Sequence, residues 1–323
     1  IKQKNNMANI TIIIPEFVLD CEIIPGQRGL TVAALVIVYM VSIVGNMLVI
    51  IVIKMNHKLH SPMFIFIGNL AVLDLANSTI IIPKMIAVIH FDSTVISYTG
   101  CIVQMYGILN LEQMVALLLA FMAVDRYVAV VYPLRYPSII TKKLVWISVS
   151  VLPIFAFLIL LSYLVFATEL SFCQTNVLPY CLCDYATLVH TSCNTDPKYL
   201  SLLSIMVLVL GVGPLLLILC SYVRIVIAAL NIKAGDRNSK VFSTCVTHLV
   251  VVLCFYLPPL GSYILPGSGL QVSSAGYNAV FIAGNVVPPM VNPVIYSFRN
   301  KEIKSSIYGL LTGKRINQEI THH

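Results

Sequence analysis

Seven long apolar runs constrain the fold of this chain more than any other feature of its sequence. A helix that crosses a bilayer needs about 20 mostly apolar residues. Runs of that length lie near residues 29–53, 64–90, 101–131, 144–166, 198–227, 241–265 and 272–297. Only 10% of the 323 residues are charged, whereas a soluble domain has about 25%. The sequence therefore predicts an all-α membrane protein, a bundle of seven transmembrane helices, here called spans one to seven.

The apolar runs divide the chain into three predicted parts. Residues 1–28 form an extracellular N-terminal tail, residues 29–297 the seven-transmembrane domain, and residues 298–323 a cytoplasmic helix and tail. Basic residues in the last part flank apolar residues at a spacing of three to four, namely Lys301, Lys304, Lys314 and Arg315 around Ile303, Ile307, Leu310 and Leu311. This spacing predicts a short amphipathic helix that lies along the inner leaflet of the membrane.

The positions of lysine and arginine predict the orientation of the bundle. Fifteen of the 20 basic residues lie in inter-helix segments one, three and five or in the C-terminal tail. The positive-inside rule makes that side cytoplasmic and places the N-terminus outside. We therefore expect a multi-pass protein of the plasma membrane. The net charge of +7 reflects a cytoplasmic face beside anionic lipid and requires no nucleic-acid partner.

The N-terminal tail holds one accessible glycosylation sequence. We expect Met7 to be the native start and no cleavable signal peptide to precede span one, because residues 1–28 are of mixed polarity. Asn9, in Asn9-Ile10-Thr11, is the expected glycan acceptor. The sequon at Asn77 lies inside span two, where no glycan can be added.

Cysteines cluster on the predicted outer side. Cys173, Cys181, Cys183 and Cys193 lie in one outer loop, and Cys101 begins span three on the same side. That compartment is oxidising, which predicts a bridge from Cys101 to the loop. The residues alone leave its partner open. Three cysteines inside spans are expected to be free thiols, namely Cys220, Cys245 and Cys254.

Several functional classes are disfavoured by the sequence. The loops are short and hold no metal-ligand cluster, nucleophile elbow or phosphate-binding loop, so we predict neither an enzyme nor a required cofactor. Residues 272–297 contain no lysine, which excludes a retinal Schiff base in span seven. The internal repeats that are typical of transporters are not visible.

Charged and polar motifs at the helix ends indicate a signalling receptor. Span three ends in Asp125-Arg126-Tyr127, and charge at the membrane edge is by default a functional-site hypothesis. Further motifs are Gly45-Asn46, Leu73-Asp74-Leu75, Pro214 with Tyr222, and Asn292-Pro293 followed by Tyr296. With these motifs in this order, the chain resembles the rhodopsin-like G-protein-coupled receptors.

A second set of motifs narrows the resemblance to vertebrate odorant (olfactory) receptors. It comprises LHSPMF at 59–64, PKM at 83–85, MAVDRYVAV at 122–130, PLRY at 133–136, SY at 221–222, FSTCVTHL at 242–249 and YSFRNKE at 296–302. The resemblance covers residues from about 29 to 308. It implies a receptor that binds a small odorant in the outer half of the bundle. The receptor would activate a stimulatory (olfactory-type) heterotrimeric G protein and raise cAMP.

The resemblance also assigns signalling roles. The implied activation and G-protein-coupling residues are Asp125, Arg126, Tyr127, Tyr222, His248, Asn292, Pro293 and Tyr296. In resting relatives the Asp125–Arg126 pair is closed, and on activation the arginine turns toward the space where a G-protein helix inserts. A static pair at the membrane interface is the alternative interpretation. Pro258 predicts a kink in span six that serves as a pivot.

The outer disulfides follow from the same resemblance. Cys101 is expected to pair with Cys183, and Cys173 with Cys193. In that scheme Cys181 has no partner.

The resemblance places Asp74 in a polar cavity with Asn46 and Asn292, which in many relatives holds a sodium ion. Odorant receptors usually supply a second acid in span three, but this chain has Val115 there. The nearest acid, Glu112, lies about one helical turn further out. This departure argues against a sodium site, and a protonated Asp74 is the alternative.

An apolar ligand pocket is predicted in the outer half of the bundle. Its candidate lining is Ile108, Leu109, Glu112, Gln113, Met206, Val207, Leu210, Tyr256, Leu260, Tyr263, Tyr277, Phe281 and Ile282. A neutral Glu112 would orient a weakly polar ligand through a hydrogen bond, whereas an ionised one would pair with a cation. The alternative function is therefore a non-olfactory receptor for a small amine with Glu112 as counter-ion. Ile108 argues against it, because amine receptors have aspartate at that position.

Overall fold

A computed structural model describes residues 15–24, 26–173, 175–230, 245–258, 260 and 274–312. Its helices are α1 (Arg28–Met55), α2 (Pro62–Phe91), α3 (Tyr98–Val131), α4 (Tyr136–Ile139), α5 (Lys142–Thr168), α6 (Tyr185–Thr191), α7 (Lys198–Met206), α8 (Gly213–Leu230), α9 (Cys245–Pro258), α10 (Ser274–Arg299) and α11 (Lys301–Thr312). Three short strands are β1 (Glu16–Leu19), β2 (Val95–Ser97) and β3 (Val177–Leu178). A π-helical segment, Val207–Val212, joins α7 to α8 in one continuous helix.

The predicted helical membrane bundle is confirmed. Six helices are long and apolar enough to cross a bilayer: α1, α2, α3, α5, the continuous α7–α8 helix and α10. The described part of span six is α9, a shorter apolar helix. The predicted C-terminal helix is α11.

Local capping explains where several helices begin and end. The Ser97 and Thr141 hydroxyl groups accept from the backbone N–H of Gly100 and Leu144, each at 3.1 Å, and begin α3 and α5. At the end of α2, Lys84 Nζ donates to the carbonyls of residues 93 and 95, each at 2.9 Å. Because both carbonyls lie beyond the end of α2 at Phe91, this lysine ties the segment that follows the helix back to it.

The two ends of the bundle differ in construction. The end that carries the three strands and all disulfides is called the disulfide end. The opposite end, with α4, α11 and Arg126, is called the Arg126 end. One buried apolar cluster packs α1, α2, α3, α8 and α9 toward the Arg126 end, and two further clusters pack toward the disulfide end.

A small sheet at the disulfide end incorporates the N-terminal segment. Strand β1 lies between β2, to which it is antiparallel, and β3, to which it is parallel. Phe17 and Leu19 of β1 are fully buried. No strand was predicted here from the sequence, because a strand of four residues depends on pairing with distant segments rather than on a local pattern.

Two glycines permit close helix contacts with prolines. A Cβ atom on Gly45 of α1 would lie 2.9 Å from Pro293 Cγ in α10. A Cβ atom on Gly284 of α10 would lie 2.6 Å from Pro258 Cβ at the end of α9. Both distances are shorter than van der Waals contact, so these positions require glycine in this arrangement.

Helix α11 docks on α1. Ile303 is fully buried, and Asn56 Nδ2, just after α1, donates to Ser306 Oγ at 2.9 Å. Leu311 is 70% exposed. The predicted apolar face of α11 is therefore packed against the bundle at Ile303 and is exposed at Leu311.

Candidate functional site

Three disulfides close the disulfide end. Cys101 is joined to Cys183 and Cys173 to Cys193, the two pairs that the resemblance implies. The expectation that Cys181 has no partner is wrong, because it is joined to Cys21. The sequence signal was an unassigned cysteine in the N-terminal segment, on the same predicted side of the membrane as the odd cysteine of the loop.

The N-terminal segment and the loop between α5 and α7 form a roof over the bundle. Asn278 Nδ2 of α10 donates to the carbonyl of Glu22 at 3.0 Å. At the other edge, Lys198 Nζ lies 2.7 Å from Glu169 Oε2, and this hydrogen bond lowers the pKa of the Glu169 carboxyl. Asp184 caps α6 by accepting from the N–H of Thr187 at 3.0 Å, and burial raises its pKa. The roof is thus fixed to both sides of the bundle.

A mostly apolar pocket lies beneath this roof, between α3, α5, α7–α8 and α9. The empty space within its lining, part of which is open to solvent, is about 990 Å³. The lining consists of Leu109, Glu112, Gln113, Ala116, Leu160, Tyr163, Leu203, Met206, Val207, Leu210, Gly211, Val212, Leu215, Phe255, Tyr256 and Leu260. A large apolar cavity with a few polar groups is typical of small-molecule sites.

Eight of the predicted ligand residues line this pocket: Leu109, Glu112, Gln113, Met206, Val207, Leu210, Tyr256 and Leu260. Ile108 and Ile282 lie instead in the apolar cluster that contains Met85 and Cys181. Tyr263 lies outside the described residues, and so do the side chains of Tyr277 and Phe281.

The π-helical segment shapes one wall of the pocket. Val207, Leu210, Gly211 and Val212 all belong to it and all line the pocket. Such segments often occur at functional sites, since the wider turn changes which side chains face inward. An amphipathic pattern with the period of an α-helix does not reveal this change, which is why Gly211 and Val212 were missed.

A second, polar cavity lies deeper in the bundle. The empty space within its lining, part of which is open to solvent, is about 420 Å³. The polar lining residues are Asp74, Asn77, Glu112, Asn285 and Asn292. Asn292 Nδ2 donates to Asp74 Oδ2 at 2.9 Å, which joins α10 to α2. Glu112 lines both this cavity and the ligand pocket. In this chain Val115 occupies the position where the resemblance implies a second acid. Glu112, three residues earlier, nevertheless shares a cavity with Asp74.

Asn46 has a different role from the one that the resemblance implies. It does not line the polar cavity. Its Nδ2 donates to the carbonyls of Ser42 at 2.9 Å and Pro289 at 2.8 Å. Asn46 therefore holds α1 against α10, where a proline-rich helix leaves carbonyls without an intrahelical donor.

The polar cavity is rich in oxygen acceptors. The Oδ1 atoms of Asn77 and Asn292 are buried and have no hydrogen-bond partner among the described residues. With the carboxyl groups of Asp74 and Glu112, these oxygens suit a hard cation such as sodium. Among the described residues, no group of three or more His, Cys, Asp or Glu side chains could hold a metal ion.

At the Arg126 end, Arg126 forms an ion pair with Asp125. The hydroxyl of Tyr136, in α4, donates to the other carboxylate oxygen of Asp125 at 2.7 Å. The Asp125 side chain is only 2% exposed and that of Arg126 17%. A small cavity beside the pair is lined by Met63, Phe66, Met122, Thr247, His248 and Tyr296. The pair is closed, as the resemblance implies for a resting receptor.

Aromatic side chains surround the pair. Tyr222 in α8 shares a hydrogen bond of 2.8 Å with His248 Nδ1 in α9, and the two rings are stacked. Tyr296 is buried, while Tyr127 contacts the ring of Tyr132 edge-on. Pro293 packs against Gly45, as described above. Five of the predicted signalling residues therefore lie close together at the Arg126 end: Asp125, Arg126, Tyr222, His248 and Tyr296. Asn292 lies in the polar cavity, and Pro293 follows it in α10.

Comparison with known proteins gives the family. The sequence model of the family described as "Olfactory receptor" matches residues 35–314. Olfactory receptor 1M1 of Homo sapiens is 34% identical over 92% of this chain and 93% of its own length. Olfactory receptor 1500 of Rattus norvegicus is 35% identical over 96% of this chain and 99% of its own. Olfactory receptor 1E16 of Mus musculus is 35% identical over 95% of this chain and 98% of its own length.

The bundle is also similar to a solved receptor structure. Squid rhodopsin superposes with a TM-score of 0.71 at 18% identity, covering 92% of this chain and 90% of the other. At that identity the likeness concerns the fold. The relatives in sequence, the family match over most of the chain and the seven-helix architecture agree, and the chain belongs to the olfactory receptor family.

Proposed function

We propose that this protein is an odorant receptor that binds a small, mostly apolar molecule in the pocket beneath the roof. Binding activates a heterotrimeric G protein of the stimulatory (olfactory) class and raises cAMP. The observation that carries the proposal is the pairing, within one bundle, of a large apolar pocket with a closed Asp125–Arg126 pair at the opposite end.

Two helices connect these sites directly. Helix α3 carries Glu112 in the pocket and Arg126 fourteen positions later (126 − 112), a distance of about 21 Å along the helix. Helix α9 carries Tyr256 in the pocket and His248 at the Tyr222 contact. Helices α3 and α9 would have a closed arrangement, with Arg126 paired, and an open one. A ligand that binds the open arrangement more tightly shifts the equilibrium toward it.

The close contact of Gly284 with Pro258 lies at the level of the pocket, because Tyr256 and Leu260 on either side of Pro258 both line it. Proline removes a backbone hydrogen bond, which makes this part of α9 a natural hinge. Outward movement of the segment that holds His248 would separate it from Tyr222 and expose Arg126 to the G protein.

We further propose that the protein lies in the plasma membrane with its disulfide end and N-terminus outside, Asn9 being glycosylated. The excess of basic residues on the Arg126 side supports this orientation, as does the requirement of disulfides for an oxidising compartment. On the inner side, α11 would contact lipid through Leu311, which is exposed and apolar.

Glu112 in the pocket wall supports a second candidate function, a receptor for a small amine. An ionised Glu112 would be its counter-ion. The substitution Glu112→Gln retains size and hydrogen bonding but removes the charge. Under the odorant proposal, agonist potency stays within about tenfold of wild type; a far larger loss confined to amines would favour the second candidate.

For the polar cavity we propose sodium as the ion that its oxygens would hold, through Asp74, Asn77, Glu112 and Asn292. A bound cation would offset the cost of an ionised carboxylate in the bundle. Purified receptor should then unfold at a higher temperature in sodium chloride than in choline chloride. Asp74→Asn should remove that difference; an equal unfolding temperature in both salts for the wild type would exclude sodium.

The main proposal is tested by a cAMP reporter in cells against a chemically broad odorant panel. Arg126→Ala should abolish ligand-driven cAMP while surface staining stays measurable. Arg28→Ala, which removes an exposed ion pair with Asp92 at the disulfide end, is the matched control and should signal normally. Full signalling from an Arg126→Ala receptor at the cell surface would contradict the proposal.

A further inference from the structure

Two residues that line the ligand pocket each have a buried polar atom with no hydrogen-bond partner among the described residues. These atoms are Nε2 of Gln113 in α3 and the hydroxyl of Tyr256 in α9. Buried polar groups are almost always paired in folded proteins, and each exception calls for an explanation. Since both residues line the same cavity, one bound group can explain both exceptions.

The rest of the lining restricts what that group can belong to. Apart from Glu112, Gln113, Tyr163 and Tyr256, every lining residue is apolar. An apolar body therefore fills most of the pocket, and the two polar atoms without a partner among the described residues belong to α3 and α9. A ligand with several polar groups would leave most of them facing aliphatic side chains.

Both unpaired groups can donate a hydrogen bond. The amide Nε2 carries two protons, and the phenol carries one. A single acceptor oxygen has two lone pairs and can receive a bond from each.

We propose that the ligand is a neutral molecule whose apolar body carries one carbonyl group, as in a ketone, aldehyde or ester, and that its oxygen accepts hydrogen bonds from Gln113 and Tyr256. This inference rests on the proposed odorant-receptor function and specifies the ligand class of the same site. A hydrocarbon leaves both donors unpaired. An ammonium group is itself only a donor, so it satisfies Glu112 but neither Gln113 Nε2 nor the hydroxyl proton of Tyr256.

The test uses matched ligand sets in the cAMP reporter. Linear, branched and cyclic skeletons of about six to twelve carbons, a size suited to such pockets, are each presented as ketone, alcohol, hydrocarbon and primary amine. Within an active skeleton, we expect the ketone to be the most potent member. The alcohol should be second in potency. Its oxygen also accepts hydrogen bonds, but its hydroxyl proton needs an acceptor of its own in a mostly apolar pocket.

Two variants assign the oxygen to its donors. Gln113→Leu and Tyr256→Phe each remove one donor with little change of volume. Each should lower the potency of the ketone about fivefold to 150-fold and bring it toward that of the hydrocarbon. Because the comparison is made within one variant, a general change in activation cancels. Gln113→Met is the second variant if Gln113→Leu does not reach the surface.

Tyr106→Phe is the matched control, since the Tyr106 hydroxyl donates to the carbonyl of Phe157 at 2.8 Å and does not line the pocket. It should leave the ligand order unchanged. Unchanged ketone potency in both pocket variants would overturn the proposed donors. Amines as the most potent members would overturn the carbonyl inference and leave the receptor function intact. If no member raised cAMP, and basal cAMP were equal in wild type and Arg126→Ala, both the carbonyl inference and the receptor function would be overturned.

Discussion

Tyr222 and His248 share a hydrogen bond of 2.8 Å that joins α8 to α9 beside the Asp125–Arg126 pair. The two rings are also nearly parallel, with centroids 5.8 Å apart. This contact holds the part of α9 at the Arg126 end against the bundle. It therefore stabilises the arrangement in which Arg126 stays paired with Asp125.

Replacing His248 by leucine should raise signalling without ligand. The substitution removes the hydrogen bond between the two side chains, and one such bond contributes about 1 kcal/mol, which corresponds to roughly a fivefold shift between closed and open arrangements. Basal cAMP, normalised to surface receptor, is the measurement. Val246→Leu, at an exposed position of the same helix, is the control. Basal cAMP equal to wild type would show that this contact does not hold the closed arrangement.

Gly45→Ala should destabilise the bundle. Its new methyl group would overlap with Pro293 at 2.9 Å, and overpacking of this kind costs about 1–3 kcal/mol. Gly29→Ala in the same helix meets no atom within 4 Å and should be neutral or slightly stabilising. Thermal unfolding of purified receptor in detergent compares the two. An equal unfolding temperature for both variants would mean that α1 and α10 can separate without cost.

The disulfide between Cys21 and Cys181 should be recovered as a linked peptide by mass spectrometry of the non-reduced protein. Replacing both cysteines by serine should cost about 2–4 kcal/mol, because the bridge restricts the unfolded chain. Cys220→Ser, at an exposed free thiol, should have little effect. Alkylation of Cys21 without prior reduction would refute the link.

Helix α11 should depend on one hydroxyl group. Ser306→Ala removes the acceptor for Asn56 Nδ2 and should weaken docking by about 1 kcal/mol. Hydrogen exchange of residues 301–312 should then become faster. Ser305→Ala, at the neighbouring exposed position, provides the comparison. Equal exchange in both variants would indicate that Ile303 alone holds the helix.

Patterns that are local in sequence predicted most of the fold. The apolar runs predicted the spans, and α11 followed from the spacing of Ile303 and Ile307. In contrast, the Cys21–Cys181 bridge joins residues that are 160 positions apart, and β1 pairs with the distant strands β2 and β3. No local pattern encodes such a pairing, and only the odd number of assigned outer cysteines pointed to it.

The candidate site likewise has features that a local pattern predicts and features that depend on contacts between helices. The positions of Gln113 and Tyr256 on the pocket wall follow from their places on the helices. The contribution of Gly211 depends on the π-helical segment, and Asn46 bonds to a carbonyl that is free only because α10 contains Pro293 and its neighbours. These features arise from packing between helices, which the sequence of one helix does not specify.

The position of Glu112 has a consequence for how such a receptor can diverge. Its side chain belongs both to the pocket that meets the ligand and to the cavity that contains Asp74. A mutation at this position therefore alters the lining of both cavities at once. Duplicated copies of this gene would acquire new ligands most readily through changes at the apolar positions of α5 and α7, and position 112 would change slowly.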